Sequence, residues 1–437
     1  MRRVAHILIP VLAALAGACD GSKPPQPDPA ASGVPATTSS ASPSPSGSAG
    51  TATLPDVDPP LGDAAHGKEL AQKLDCNRCH DGTDVGAATL PKHCVHCHQE
   101  IIAGTFKGAP AAKLAAWQEK MVTLREVPSL SSMGKRYRRA WIERFLQEPH
   151  DLRPRLLASM PRLKISAADA RDLATWLTSQ GGEPSPAPPV SLEGADLARG
   201  RKLIEDKGCG SCHAFGGVPA LAGGTAPKLG EKELRSAVAL APDLRFARDR
   251  FRAAELWRWM ADPKAVKPDT AMPLTPSTPE ELKHMTAYIL QAPLAAPETK
   301  PMPARLPVLD RKVTYDEVYK RVLRDTCRHC HAEPDYDPAG DGGPGNTGGF
   351  GFPARKLDLA RWEGVQAGWV TDKGERESVF KPMADGVPRL VAAMIARQAE
   401  EAGQPNPEIR GMPLGLPAYS AEDVQLVETW IAQGRPQ

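Results

Sequence analysis

The pattern Cys-X-X-Cys-His occurs four times in this chain of 437 residues and constrains its fold more than any other feature. The first cysteines are Cys76, Cys94, Cys209 and Cys327, and the second cysteines are Cys79, Cys97, Cys212 and Cys330. The histidines that close the pattern are His80, His98, His213 and His331. Each copy places two thiols and an imidazole on one turn of chain, so four segments must fold around whatever these groups bind.

Three chemistries use paired cysteines at this spacing: zinc binding, dithiol redox exchange and covalent attachment of haem. A zinc site has no need for a histidine at the same place four times, and no βαβ pattern of the kind that carries a redox dithiol is evident. Two thiols on one turn match the two vinyl groups of a haem, and the adjacent imidazole then becomes the proximal iron ligand. The sequence therefore predicts four covalently attached haems c, with the four histidines as proximal ligands.

The first 18 residues have the features of an export signal. Two arginines follow Met1, and the apolar stretch at residues 4–16 is shorter than the ~20 residues needed to span a bilayer. Residues 15–19, Leu-Ala-Gly-Ala-Cys, resemble a bacterial lipoprotein cleavage box, which would make Cys19 the lipidated first residue of the mature chain. The alternative is ordinary cleavage after Ala18, which would release a soluble protein. We favour the lipoprotein because Cys19 is the one cysteine outside the four motifs.

Low-complexity stretches divide the rest of the chain. Residues 20–60 consist mostly of Pro, Ser, Ala, Thr and Gly, a composition that predicts a disordered tether. Two shorter Pro-rich stretches separate three blocks of ordinary domain size. The predicted organisation is a signal peptide at 1–18, a lipidated tether at 19–60, a di-haem block at 61–181, and two mono-haem blocks at 191–292 and 308–437.

The three blocks have the features of internal repeats. Residues 65–70, ahead of Cys76, align without gaps to residues 198–203, ahead of Cys209, and Thr314 with Glu317 predicts a capping box ahead of the fourth motif. Each block ends with a Met-Pro pair followed by an amphipathic helix. The methionines are Met160, Met272 and Met412, and the predicted helix caps are Ser166, Thr278 and Ser420.

This order of helix, Cys-X-X-Cys-His, irregular loop, Met-Pro and closing helix resembles the class I cytochrome c family in all three blocks. The resemblance implies an all-α fold of three tandem cytochrome c-like domains with loop-rich insertions, in which the first and last helices of each domain cross. It also implies that Met160, Met272 and Met412 are distal iron ligands, with Met383 a weaker alternative to Met412. A thioether ligand raises the reduction potential relative to two nitrogen ligands.

The first block departs from this pattern because it carries two motifs. The gapless helix match makes Cys76–His80 the standard site, so the motif from Cys94 to His98 is interpreted as an insertion. Its distal ligand stays open, and an open coordination position is a further alternative. Candidate ligands are His66, His93, His96, Met121, Met133 and His150. Met121 shares a helical stripe with Trp117, which favours a buried core position for it instead.

The third block departs from the pattern in a Gly-rich stretch at residues 335–352. Its spaced aspartates resemble a calcium loop, but Ala339 occupies a ligand position and no suitably placed glutamate follows. We therefore expect a polar surface loop. Residues 361–382 are a candidate cover for the haem edge.

Charge narrows the function only slightly. The formal net charge of +2 indicates neither nucleic acid nor an acidic membrane as a partner of the whole chain. Arginine-rich runs at residues 135–139 and 245–252 could hold haem propionates or meet an acidic redox partner, but solvated helix faces are the more ordinary account. Aromatic residues make up only 5% of the chain, so haem is expected to fill the core of each domain.

The sequence as a whole predicts an exported tetrahaem cytochrome c, tethered to a membrane by a lipid anchor and facing the periplasm or cell surface. It would pass electrons between redox partner proteins without a catalytic acid or base. Two alternatives stay open. One is a haem enzyme such as a peroxidase, working at an open iron in the first block, although no clear distal acid–base group is evident near Cys94 to His98. The other is the electron-carrying subunit of a larger oxidase or dehydrogenase complex.

Overall fold

The computed structural model describes residues 58–86, 93–157, 160–180, 190–224, 228–298, 300–333 and 349–437. The export signal, Cys19, nearly all of the tether and most of the Gly-rich stretch lie outside the described residues. Helix accounts for 47% of the described residues and strand for 2%, so the all-α prediction is confirmed. None of the described helices is long and apolar enough to cross a membrane.

Sixteen α-helical segments occur in the described ranges, several of them a single turn. They are α1 (Ala64–Lys73), α2 (Cys94–Ala103), α3 (Ala111–Lys120), α4 (Arg139–Gln147), α5 (Ala167–Ser179), α6 (Leu197–Asp206), α7 (Glu231–Leu240), α8 (Ala247–Arg250), α9 (Ala253–Ala261), α10 (Pro263–Val266), α11 (Pro279–Gln291), α12 (Tyr315–Val318), α13 (Arg328–Cys330), α14 (Trp362–Ala367), α15 (Arg389–Glu401) and α16 (Ala421–Ala432). A π-helical segment, Tyr319–Cys327, joins α12 to α13. Strands β1 (Trp369–Val370) and β2 (Arg376–Glu377) pair antiparallel, with Trp369 opposite Glu377.

In the first block, α1 packs across α5. Asp63 caps α1 by accepting hydrogen bonds from two backbone N–H groups, and Ser166 with Asp169 forms the capping box that begins α5. At the crossing, a Cβ atom on Gly67 would lie 2.2 Å from the carbonyl oxygen of Asp172. The helices can approach this closely because the position carries no side chain.

The second block repeats this crossing with α6 and α11. Asp196 caps α6, and the predicted capping box of Thr278 and Glu281 begins α11. A Cβ atom on Gly200 would lie 2.2 Å from the carbonyl oxygen of His284. Gly200 is the residue that the sequence alignment pairs with Gly67, so the two blocks place a glycine at the same contact.

The third block builds its helix pair differently. Residues 315–330 form one continuous helical segment that passes from α-helix through π-helix into the motif. Thr314 accepts a hydrogen bond from the Glu317 N–H, but the Glu317 carboxylate pairs with Arg311, so only half of the predicted capping box forms. Ser420 and Asp423 do form the capping box of α16, and the Tyr419 hydroxyl next to it donates to the Val322 carbonyl at 2.7 Å.

The apolar side chains form two separate core clusters. One is continuous through the first and second blocks and includes Leu173 of α5 and Leu282 of α11. The other belongs to the third block and surrounds Trp430, which is fully buried. The short ribbon of β1 and β2 lies within residues 361–382 and was not expected from the sequence.

Candidate haem-attachment sites

The motifs that follow α1 and α6 have the same backbone geometry. Two residues after each helix ends, the backbone is left-handed, at Asp75 with φ 54° and at Gly208 with φ 71°, and the chain then enters a 3-10 turn. The turn brings the closing histidine back over the first cysteine: His80 N–H donates to the Cys76 carbonyl at 3.0 Å, and His213 N–H donates to the Cys209 carbonyl at 2.9 Å. Two thiols and one imidazole are thereby fixed on a single turn.

Both of these imidazoles are held at one nitrogen by a backbone carbonyl. His80 Nδ1 lies 2.7 Å from the Pro128 oxygen, and His213 Nδ1 lies 2.8 Å from the Pro242 oxygen. A ring that donates through Nδ1 presents the lone pair of Nε2 to a metal. Desolvation lowers the pKa of both histidines, which favours the neutral ring that a metal ligand requires.

The second motif has a different backbone but a similar imidazole environment. Cys94 is the first residue of α2, and His93 caps this helix by accepting the His96 N–H at 3.2 Å. His98 Nδ1 lies 3.1 Å from the Thr123 carbonyl oxygen. Desolvation, followed by the charge of His329, lowers the pKa of His98. A third imidazole is therefore held through Nδ1 with Nε2 left for a ligand.

The fourth motif ends the helical segment of the third block. The His331 N–H donates to the Cys327 carbonyl at 2.9 Å, as in the first two blocks, and the Cys327 thiol lies 3.5 Å from the Tyr419 hydroxyl. Desolvation lowers the pKa of His331 to about 4. The ring is therefore neutral at ordinary pH, as iron ligation requires.

The first, second and fourth motifs lie next to one another. The Cys79 and Cys94 thiols share a hydrogen bond, which raises the pKa of Cys79 and lowers that of Cys94. The rings of His98 and His329 have centroids 6.4 Å apart. Arg78 is buried among these motifs and forms an ion pair with Asp75 at 2.9 Å. Motifs far apart in sequence are thus brought together by the fold.

The predicted distal methionines lie on loops that return towards the motifs. Trp259 Nε1 donates to Met272 Sδ at 2.9 Å, and Lys207, two residues before Cys209, donates to the Pro276 carbonyl at 2.8 Å. Met160 packs half-buried against the core. The loops of Met160 and Met412 touch, because the Arg410 guanidinium donates to the Arg162 carbonyl. The distal assignments of all three methionines stay predictions.

Several candidate ligands for the second haem have other contacts. His66 pairs with Asp172 at 2.8 Å, Met133 is buried in the core, and His150 packs against Phe145. The expectation of a buried core position for Met121 is wrong, because α3 buries none of its side chains and Met121 at its end is half-buried. The helical stripe was present in the sequence, and its Trp117 ring packs against Phe106 with centroids 6.1 Å apart, but this contact buries no residue of α3.

His93 and His96 lie beside the first motif. Their rings stack with centroids 3.7 Å apart, and Asp81, which follows His80, is 3.0 Å from His96 Nε2. Ligand atoms of these three side chains all lie within 4.8 Å of one another, a separation that would let them share a metal ion. The sequence indicated both histidines but not their meeting with Asp81.

Sequence reasoning missed two further features. The carbonyls that orient His80 and His213 belong to the backbone, so no side chain in the sequence marks them. An alignment of two similar triplets, Arg136-Tyr137-Arg138 and Arg250-Phe251-Arg252, would have shown that the two loops correspond. The expectation that the arginine runs lie on solvated faces is wrong in part. Arg136, Arg138 and Arg250 are 5%, 3% and 3% exposed.

Comparison with known families agrees with this geometry. The family model of cytochrome c matches residues 197–293, which run from α6 to just past the end of α11. This segment is a cytochrome c domain, which supports a c-type cytochrome and implies covalently bound haem c and haem-based electron transfer. Neither the curated proteins nor the solved structures gave a match. The paired thiols and the free Nε2 of His213 within the matched segment fit such a haem.

Proposed function

We propose that this protein is a tetrahaem c-type cytochrome that transfers electrons between redox partner proteins outside the cytoplasm, tethered to a membrane through a lipidated Cys19. The observation that carries this proposal is that three of the motif histidines are oriented in the same way. His80, His98 and His213 each meet a backbone carbonyl through Nδ1, and each follows a pair of cysteines on the same turn. His213 lies in the segment matched to cytochrome c.

The first block supports the proposal through its likeness to the matched segment. The helix crossing at Gly67 repeats the crossing at Gly200, and the contact of His80 with Pro128 repeats that of His213 with Pro242. A domain built on the same contacts fits the same cofactor. The third block shares the motif, the backbone hydrogen bond of His331 and the closing α16, which supports a haem there on fewer observations.

The residues have distinct roles in this proposal. A bound haem c supplies reversible one-electron chemistry at its iron. The eight motif cysteines would hold the group covalently, and the four histidines would provide the proximal nitrogen. Met160, Met272 and Met412 would provide a distal sulfur. The carbonyls of Pro128 and Pro242 keep the rings of His80 and His213 in one tautomer and one orientation.

The placement of the motifs supports electron transfer within the chain. The contacts of Cys79 with Cys94 and of His98 with His329 bring three of the motifs side by side. Sites this close favour transfer from one to the next. The second block joins this group through Arg155, which donates to the Ser211 carbonyl inside the third motif.

A haem enzyme is the second candidate, and one observation favours it. The cluster of Asp81, His93 and His96, in which only His93 is partly buried, places titratable groups at the second motif, whose distal ligand is unassigned. A high-spin signal in the oxidised protein that changes with peroxide or cyanide, together with peroxide turnover by a reduced electron donor, would support this enzyme. Four low-spin signals unaffected by either ligand would exclude it.

The decisive experiment counts the haems. The mature protein, produced in a host that matures c-type cytochromes, is expected to carry four haems by intact mass and by pyridine haemochrome absorbance. Replacing both cysteines of one motif by alanine, for each motif in turn, should remove the mass of one haem each time. A mature chain that is colourless, or that has the mass of its amino acids alone, would overturn the proposal.

The membrane tether is tested separately. Cys19→Ser should move the holoprotein from the membrane fraction to the soluble periplasmic fraction without changing the haem count. Retention of the lipid-derived mass or of membrane binding in this variant would show that Cys19 is not the anchor.

A further inference from the structure

Two arginines at equivalent places in the repeats meet between the first and second blocks. Arg136 follows Pro128 by eight residues, and Arg250 follows Pro242 by eight residues. The Arg138 N–H donates to the Arg250 carbonyl at 3.0 Å, so the two segments are joined directly. The repeated position therefore forms the contact between the blocks.

Tyr137 lies between these two guanidinium groups. Its hydroxyl accepts hydrogen bonds from Arg136 Nη1 at 2.9 Å and from Arg250 Nη2. The guanidinium carbons lie 4.5 Å and 4.6 Å from the centre of the Tyr137 ring. Burial would raise the pKa of the Tyr137 phenol, but Arg136, Arg250 and Arg153 together lower it to about 7. The three positive charges thus converge on one phenol.

Little negative charge faces this group. Arg136, Arg153 and Arg250 form no ion pair with any carboxylate of the described residues, and Arg250 Nε has no hydrogen-bond partner among them. Lys267 is also buried nearby. Asp269 faces Arg136 but is paired with Lys267, and Asp249 is paired with Arg144.

Such an excess of buried positive charge is costly. Removing an ion from water is unfavourable unless an opposite charge replaces the solvent. Burial lowers the pKa of Arg153 to about 10 and also lowers that of Arg136. The arrangement therefore calls for an anion, and no carboxylate of the described residues supplies one.

The position of the group indicates the source of that anion. Arg136 Nη2 donates to the Ser131 carbonyl at 3.0 Å, three residues after the Pro128 that holds His80. Arg153 Nε donates to the Leu240 carbonyl at 3.0 Å, two residues before the Pro242 that holds His213. The Arg136 guanidinium lies 5.8 Å from the ring of Trp259, whose Nε1 contacts Met272. The cluster therefore lies between two predicted haem sites, and each haem carries two propionate carboxylates.

We propose that Arg136, Arg153 and Arg250 form an interdomain cage that binds propionate carboxylates of both haems, those attached at Cys76 and at Cys209, and so couples the two blocks. This inference rests on the proposed function, since it needs haem at both motifs. Planar guanidinium groups suit the cage because they bind carboxylates through two parallel hydrogen bonds. Haem loading then stabilises the junction as well as each domain.

The test uses Arg250→Gln and Arg136→Gln in the mature holoprotein. Loss of a nearby positive charge favours the ferric state, so the potentials of the first-block standard haem and the second-block haem should become more negative together. Redox difference infrared spectra should show a changed propionate carboxylate band. Arg235→Gln is the matched control, because Arg235 is exposed and pairs with Glu231 on the same helix. It should leave both readouts unchanged.

Arg250→Lys and Arg136→Lys keep the charge and guard against a folding failure. They should preserve the potentials better than the glutamine variants while still altering the carboxylate band. Glutamine variants with four haems, control-like potentials and an unchanged band would overturn the cage but leave the tetrahaem proposal intact. A wild-type protein without haem would overturn both. Potentials of the wild type that shift with added inorganic phosphate would assign the cage to a free anion and overturn the propionate assignment.

Discussion

His80 Nδ1 lies 2.7 Å from the carbonyl oxygen of Pro128, although 48 residues separate the two. The equivalent contact of His213 with Pro242 spans 29 residues, so the first block has 19 more residues between the same two anchors. Helices α2 and α3 lie within this longer span. The second motif is thereby placed in a loop that leaves the first site and returns to it, which explains how one block can accommodate two motifs.

The helix crossings should depend on their glycines. Gly67→Ala and Gly200→Ala would each place a methyl group 2.2 Å from a carbonyl oxygen of the facing helix, so that helix must move. Overpacking of this kind costs about 1–3 kcal/mol, and contact with backbone favours the upper end. Denaturant unfolding of the holoprotein measures the loss.

Gly223→Ala is the control for the glycine variants. A Cβ atom there meets nothing within 4 Å, and the alanine should leave stability nearly unchanged or raise it by about 0.5 kcal/mol. Equal stability of all three variants would show that the crossings are looser than the structure indicates.

The distal methionines can be distinguished from core methionines by spectroscopy. Met272→Ala and Met412→Ala should each weaken the near-infrared sulfur–iron band by the contribution of one haem and lower one reduction potential, because one iron loses its thioether. Met285 and Met394 are buried in the cores of the same blocks. Leucine at either position should cost under about 1.5 kcal/mol of stability and leave the spectrum unchanged.

The third block offers an internal alternative to this assignment. An undiminished sulfur–iron band in Met412→Ala, combined with a weakened band in Met383→Ala, would transfer the distal role to Met383. A weakened band in Met285→Leu would contradict the loop assignment in the second block.

Acid should weaken the contact between the first two blocks through Asp269. Its carboxylate accepts the Ser131 hydroxyl of the first block at 2.9 Å and pairs with Lys267. Partial burial raises the pKa of Asp269, but the hydrogen bonds from Lys267, Ser129 and Ser131 outweigh it and lower the pKa to about 2. A carboxyl whose pKa is depressed on folding stabilises above its unfolded pKa, and the stabilisation is lost as pH falls from about 4 to about 2.

Asp269→Asn should therefore lower the free energy of unfolding by about 1 kcal/mol at pH 7. The loss is no larger because the Asp269 side chain is half exposed and solvent screens its charge. Unfolding free energies of the variant and the wild type, measured at pH 7 and near pH 2.5, should differ less at the lower pH. A difference that stays constant between these pH values would show that Asp269 does not carry the dependence.

Local patterns in the sequence were enough to predict where the closing helix of each block begins. Ser166, Thr278 and Ser420 begin their helices as capping boxes because the acidic residue three positions later completes each box. The two thiols and the imidazole predict the class of cofactor for a similar reason, because all three groups lie within five consecutive residues. The cytochrome c match covers only residues 197–293, so the tandem arrangement stays a proposal.

The local sequence predicts the four motifs and the helices that frame them, because these depend on neighbours along the chain. The tertiary structure alone sets which distant groups meet. It placed Arg136 beside Arg250, joined the loops of Met160 and Met412, and left α3 without a buried face. Such contacts depend on how helices that are distant in sequence pack together. The local sequence around an arginine does not distinguish a side chain buried between two blocks from one exposed to water.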